Sequence, residues 1–116
     1  MRELIAVVRR NKTFATQQEL ARIGCQGYSR LAVLGRGRQR GLRGDDAAKG
    51  LPFLPKVLFD LIVADEAAQE TIEAMIRANQ TGEFGDGKIF VVEVEESYRI
   101  STGARERVVY DAGVGG

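Results

Sequence analysis

Two runs in this chain leave almost no position for water. Residues 4–8 are apolar throughout, and residues 57–63 interrupt an apolar stretch with a single acid, Asp60. A strand with apolar side chains on both faces needs cover on both. Only two stretches have helical character, so the sheet these strands build has one face covered from within and one left for other copies to cover. The pattern therefore predicts a homo-oligomer.

The helical stretches fall one in each half. Thr16-Gln17-Gln18-Glu19 reads as a capping box, in which a threonine hydroxyl and a glutamate three residues on satisfy each other's backbone amides. It predicts a helix that carries Leu20, Ala21 and Ile23 and stops at Gly24, followed by a strand over residues 27–34. In the other half, Asp65 is placed to cap a helix after the third strand. Ala68, Ile72, Met75, Ile76 and Asn79 recur there at helical spacing, the apolar ones as an inward stripe, and Gly82 ends the helix. Residues 88–94 read as the fourth strand. Strand, helix, strand, twice over, is the split βαβ arrangement of a ferredoxin-like domain, an α+β fold with one antiparallel sheet and two helices on one face. With 116 residues, 44% of them apolar, the chain makes a single domain with a modest core.

Two segments stand outside this frame. From Gly35 to Gly44 glycines and arginines alternate too tightly for a core or a helix, and about residues 36–52 read as a long exposed loop of the functional or disordered kind. No aromatic is interleaved there to stack on bases. The other segment packs Gly82, Gly85 and Gly87 into six residues and places Lys88 directly after them. Successive glycine amides can form a concave nest for an anion, and a lysine held on a strand adds a fixed charge. The same local pattern also fits a plain tight turn feeding a strand. It is not a Walker loop, because Ile89 stands where Ser or Thr is required and no helix follows. Arg99, a few residues past the strand, offers a second cation.

Composition removes whole classes of function. One cysteine and no histidine exclude a disulfide frame and an ordinary zinc or haem site, and take away the usual general base. Cys25 reads as a small buried residue rather than a nucleophile. No apolar run approaches the ~20 residues of a membrane span, and the first residues lack the zones of a signal peptide, so a cytoplasmic protein is expected. Net charge is +1, yet residues 1–44 hold ten Lys and Arg against two acids, and residues 45–116 hold seven against fourteen. That asymmetry invites an anionic partner unless the two halves interleave and their charges meet as surface pairs.

Gly35 with Gly37-Arg38-Gln39-Arg40-Gly41, Leu54-Pro55-Lys56-Val57, Thr81-Gly82 with Gly85-Asp86-Gly87-Lys88-Ile89-Phe90-Val91, and Arg99-Ile100 with Thr102-Gly103 form one spaced set. Over about residues 1–103 that set resembles the PII signal-transduction proteins of bacterial and archaeal nitrogen control. The resemblance implies a homotrimer of ferredoxin-like subunits that binds ATP or ADP, and 2-oxoglutarate with Mg²⁺, in clefts between subunits. It also implies a signalling protein rather than an enzyme, with no catalytic residue. The family's T-loop, about residues 36–55 here, would dock on target proteins, and about residues 108–116 read as a loose tail. Carried across by position, Gly85, Asp86, Gly87 and Lys88 would hold phosphates, with Gly35, Arg38 and Arg99 around the nucleotide. Val7, Ser29, Asp60 and Val63 lie where the family lines its adenosine pocket. Gln39 lies where the family meets Mg²⁺, and Gln39, Arg40, Gly41 and Lys56 lie where it meets 2-oxoglutarate. An amide nest, cations and an amide oxygen are what a polyphosphate with a metal ion requires.

Three departures qualify the resemblance. Ser101 replaces the second arginine of the family's Arg-x-Arg-Thr-Gly, Glu83 replaces a common lysine, and residues 41–55 contain no Tyr, Ser or Thr to modify. The last leaves ligand binding as the switch. The residues 79–82 and 94–99 look most like the nitrogenase-associated branch, so nitrogenase, an ammonium channel or a nitrogen-assimilation enzyme is the expected kind of target. Rival readings are an RNA-binding module on the same fold, a small phosphate-transforming enzyme, and a PII-like sensor of another metabolite. An RNA binder would need solvent-facing aromatics on the sheet, whereas Phe59 and Phe90 read as members of a buried face. An enzyme would need a nucleophile or base, and Asp86 reads better as a cap for the glycine turn.

Overall fold

A computed structural model of the chain describes residues 1–36 and 53–106. Strands β1 (Arg2–Arg9), β2 (Ser29–Gly35), β3 (Leu54–Val63) and β4 (Gly87–Glu93) form one sheet in the order β2-β3-β1-β4, and every neighbouring pair is antiparallel. Helix α1 (Thr13–Arg22) joins β1 to β2, and helix α2 (Asp65–Asn79) joins β3 to β4. This is the α+β, ferredoxin-like arrangement that the two strand-helix-strand halves predict. Most of the expected loop over residues 36–55 lies outside the described residues, with Arg38, Gln39, Arg40 and Gly41 in it, as does the expected tail over 108–116.

Alternation along the central strands sorts their side chains into two sets. Leu4, Ala6 and Val8 of β1 stand in register with Leu61, Phe59 and Val57 of β3, and all six are buried beneath the helices with Leu20 and Met75. Their neighbours Ile5, Val7, Leu58, Asp60 and Ile62 point to the other face, where Phe90 pairs with Ile5 and stays 52% exposed. Phe90 is thus on an open face in the single chain, and only Phe59 meets the expectation of burial. Ile76, expected in the inward stripe of α2, is likewise exposed, because Ala74, Met75 and Asn79 take the inner positions.

Local signals at the helix ends read differently in three dimensions. The expected capping box at Thr16 does not start α1, which begins at Thr13 after a single 3-10 turn over Arg10–Lys12. Thr16 is fully buried inside the helix. Its hydroxyl donates to the Lys12 carbonyl (2.7 Å) and accepts from Asn79 Nδ2 of α2 (2.9 Å). Glu19 pairs with Arg22 (3.0 Å) and with Arg77 of α2 (3.1 Å), so both ends of the motif join the helices to each other. The helix does end before Gly24: the Gly24 amide donates to Ala21 (3.0 Å) and the Cys25 amide to Leu20 (2.8 Å), the paired bonds of a Schellman stop. Asp65 is the first residue of α2 rather than its cap, and its carboxylate takes the Met1 ammonium at 2.8 Å. The third strand begins at Leu54, just inside the span of about 36–55 that the resemblance gives the T-loop. Pro55 is tolerated there because β1 does not extend that far and only β2 pairs with it.

One element had no signal in the periodicity. Strands β5 (Ser97–Tyr98) and β6 (Arg105–Glu106) form a separate hairpin whose turn is closed by the Gly103 amide on the Arg99 carbonyl (2.7 Å). The Val94 amide donates to the Met1 carbonyl (3.1 Å), and the Ser97 hydroxyl lies 3.8 Å from the Met1 sulfur. The hairpin therefore sits at the end of the sheet where β1 starts.

Candidate functional site

At the other end of the sheet, where β1 finishes, residues 80–87 return the chain from α2 into β4. Gly82, Gly85 and Gly87 take φ of +86°, +97° and +122°, a region side chains rarely enter. At Gly87 the requirement is also steric, since a Cβ would lie 2.1 Å from the Val7 carbonyl oxygen. The turn is closed by Asp86. Its carboxylate accepts from the Thr81 amide (2.7 Å), the Gly82 amide (2.9 Å) and, in a short bond, the Thr81 hydroxyl. These donors, led by the Thr81 hydroxyl and joined by the Arg9 charge, hold the Asp86 pKa down to about 2. The Asp86 side chain is committed to the turn, so what the residue offers a ligand is its main chain.

Strands β1 and β3 bring two cations to this turn. Arg9 and Lys56 are cross-strand partners, and the same register places Val7 beside Lys88. Arg9 donates from Nε to the Gly85 carbonyl (3.1 Å) and from Nη2 to the Phe84 carbonyl (2.8 Å), and Nη2 lies 3.4 Å from Asp86 Oδ1. Lys56 Nζ donates to the same Gly85 carbonyl at 3.1 Å. Partial burial, and then the neighbouring Arg9 charge, push the Lys56 pKa below its ordinary value, against a smaller opposing pull from Asp86. Gly35 at the end of β2 leaves room for this lysine, because a Cβ there would lie 2.9 Å from Lys56 Cγ.

These residues line an open cleft of about 870 Å³. It gathers Val7, Gly35, Lys56, Gly85, Asp86, Gly87 and Lys88 from the sequence-predicted set, together with Arg36 and Phe84. Glu83 also lines it, an acid beside the glycine turn as the sequence departure implied. Chemically the cleft sets Lys56, Lys88 and Arg36 beside a glycine turn, with Glu83 and Asp86 as opposing acids, an arrangement that can take an anion.

The remaining predicted residues lie elsewhere. Ser29 and Asp60 pair across β2 and β3 on the open face, two residues along from the row that holds Leu58, Val7 and Lys88. Asp60 Oδ1 is buried and has no hydrogen-bond partner among the described residues. A hydrogen bond to Asp60 raises the pKa of Glu3 next to it, with burial and like charge adding to the effect. Val63 stands level with Arg2, about 17 Å along the strands from the Lys88 row at ~3.3 Å per residue. Its side chain is fully buried beneath the helices. Arg99 is in the hairpin at that far end, with Nη2 3.4 Å from Glu106. Sequence analysis does not single out Arg9, because the register that brings it to the turn is a tertiary fact.

Comparison with known proteins places this geometry in a lineage. A family model described as nitrogen regulatory protein P-II matches residues 1–104. The chain belongs to the PII family. It is 38% identical over 117 residues to nitrogen fixation nifHD1 region GlnB-like protein 2 of Methanosarcina barkeri, covering 90% of this chain and 95% of that protein. It is 40% identical over 102 residues to nitrogen fixation nifHD region glnB-like protein 1 of Methanococcus maripaludis, covering 88% and 95%. Nitrogen regulatory protein P-II of Rhizobium meliloti is 41% identical over 107 residues, covering 89% and 94%. The glycine turn, its lysine and the cleft all fall within the residues the PII family model matches. Among the described residues no helix is long and apolar enough to cross a membrane, and no three His, Cys, Asp or Glu cluster as metal ligands do.

Proposed function

We propose that this PII-family chain is a nitrogen-regulatory signal protein. It binds ATP or ADP, and 2-oxoglutarate with Mg²⁺, at clefts between copies in a homotrimer. It controls a target protein, in nitrogen fixation by preference, through the T-loop at about residues 36–55. The observation that carries the reading is the cleft itself, in which a glycine turn, Lys88 and Lys56 converge at the edge of an uncovered apolar sheet face. Lys88 and the amides of the turn supply the charge and donors that phosphates take. Lys56, beside the turn, suits a carboxylate. Gln39, in the family's place for Mg²⁺, lies outside the described residues.

The placement of the other residues favours a composite site. Arg99 lies at the opposite end of the sheet from the turn in one chain, so it would serve the turn of a neighbouring copy, whereas Val63, closed beneath the helices, could offer a ligand only its main chain. Asp60 Oδ1, a buried acceptor with no donor among the described residues, suits a hydroxyl or amino group brought by a ligand. The apolar open face gives the copies something to bury. Names of relatives that place them in nifHD regions favour a target in nitrogen fixation over an ammonium channel or an assimilation enzyme.

Calorimetry with ATP and with ADP, each with Mg²⁺ and with or without 2-oxoglutarate, tests the reading alongside light scattering. The expected result is a mass three times that of one chain, and Mg-ATP binding that 2-oxoglutarate strengthens and Lys88→Ala weakens at least about tenfold, the loss of one charged hydrogen bond. If neither nucleotide binds, the turn is structural and the reading fails. Full binding by a monomer would remove the composite site.

A further inference from the structure

We propose that Asn79 is a positioning residue for the glycine turn: its buried bond to Thr16 fixes the end of α2 from which the turn departs, and so holds the turn at the cleft. The inference deepens the anion-binding reading given above and rests on it.

The need for such a device follows from how the turn is hung. Residues 80–87 join α2 to β4, and the β4 end is set by the sheet, where Gly87 stands in register with Val8. The α2 end has no such support. Helix α2 packs chiefly on α1 and β1, not on β4. Beside the turn a cavity of about 410 Å³ lies between helix and strand, lined by Met75, Ile76 and Asn79 of the one and Gly87, Lys88 and Ile89 of the other. Close packing is interrupted there, so the start of the turn is placed by the grip of α1 on the last helical residue.

That grip is a pair of side chains at the contact between the helices. Asn79 is 6% exposed and Thr16 is fully buried. A carboxamide has two N–H donors, and Asn79 Nδ2 makes two bonds at 2.9 Å, to Thr16 Oγ1 and to the Met75 carbonyl. The Thr16 hydroxyl donates in turn to the Lys12 carbonyl (2.7 Å), which ties the end of α2 to the start of α1. Rotation or sliding of the helix end would leave buried donors without acceptors. The other tie, Glu19 with Arg77, lies at the surface and holds less. From Asn79 the chain reaches Thr81 in two residues, and the Thr81 and Gly82 amides bind the Asp86 carboxylate. An apolar pair of similar volume would fill the same contact at little cost in stability, so the amide is explained by where it puts the chain.

The test compares Asn79→Leu, Thr16→Val, the double variant and Thr16→Ser with the wild-type chain. Three quantities are measured: the denaturation midpoint, amide exchange of Gln80, Thr81 and Gly82 in the ligand-free protein, and Mg-ADP binding by calorimetry. The double variant removes donor and acceptor together, so its midpoint is expected to match or exceed that of the wild type. Its turn amides are nevertheless expected to exchange about tenfold faster, and Mg-ADP to bind about tenfold more weakly. Each single variant is expected to loosen the turn as much as the pair does. Thr16→Ser, which keeps the hydroxyl, is expected to behave as wild type. Wild-type exchange of the turn in the double variant overturns the proposal, and so does unchanged Mg-ADP binding by a variant whose turn exchanges faster. Faster exchange that only follows a loss of global stability also overturns it, because the pair would then be part of the core and nothing more. Should wild-type protein bind no nucleotide, the proposed function fails, and exchange in the ligand-free turn alone decides whether Asn79 positions it. If Asn79→Leu does not fold, Thr16→Val carries the same measurements.

Discussion

The two faces of the sheet are built from the same strands and differ in almost every other respect. On the helix side Leu4, Ala6, Val8, Phe59, Leu61 and Val63 are 0–3% exposed and the packing is complete within one chain. On the other side Ile5, Val7, Leu58 and Phe90 are equally apolar, yet Phe90 is half exposed and they share the face with Asp60 and with the cations at its end. A residue's partners on the first face are already present. The second is left open in the single chain, and that is where the cleft, Lys56 and Lys88 are found.

Truncating one aromatic on each face breaks the comparison most directly. Phe59→Ala is expected to lower unfolding free energy by about 3–5 kcal/mol, as a large side chain removed from a closed core does. Phe90→Ala is expected to lower it by well under about 1 kcal/mol per isolated chain while weakening self-association, because in the proposed trimer another copy would supply its neighbours. Chemical denaturation and light scattering read the two effects separately. Equal losses of stability with unchanged association would show that the open face is finished as it stands.

A smaller loss is expected at the junction between the faces. Gly87→Ala places a methyl against the Val7 carbonyl in a backbone region that disfavours it, at a cost of about 1–3 kcal/mol. Because the clash is with the strand that carries Val7, it should also separate β4 from the end of β1, visible as lost amide protection at residues 87 and 88. Intact protection there would mean that the turn can reshape around a side chain.

The smallest effect is electrostatic and has a defined sign. The Asp86 pKa falls from 3.8 to about 2 on folding, so its contribution is fully present above pH 3.8 and is lost as the pH drops through about 2. The stability difference between wild type and Asp86→Asn should therefore be constant at neutral pH and shrink below pH 4. A difference that grows toward low pH would place the carboxylate in a repulsive setting, contrary to its bonds with Thr81 and Gly82.

Much of this architecture is written locally. The apolar runs of β1 and β3 allow little besides central strands, Gly24 closes α1 through its own backbone, and the spaced motifs identify the family before any contact is known. A glycine cluster followed by a lysine was also legible as a candidate site. Other features depended on partners distant in sequence. The Thr16 hydroxyl has a capping geometry available to it in an isolated helix, but Asn79, 63 residues on, offers a buried bond that holds it within the helix instead. Phe90 and Ile76 were assigned to the interior by their type, and only the layout of strands and helices shows which apolar side chains one chain can cover.

Periodicity, turn chemistry and capping are properties of neighbouring residues, and from them the sequence by itself determined the elements, their order and the α+β class. Register determined the rest. The antiparallel pairing of β1 with β3 and β4 set Arg9 beside Lys56 and both beside the glycine turn, while it left Val63 and Arg99 at the opposite end. No local rule carries that information, because a shift of one residue in register would turn the same side chains to the other face. Burial of Leu4, Ala6 and Val8 against Leu61, Phe59 and Val57 selects a single register, and the site follows from that choice.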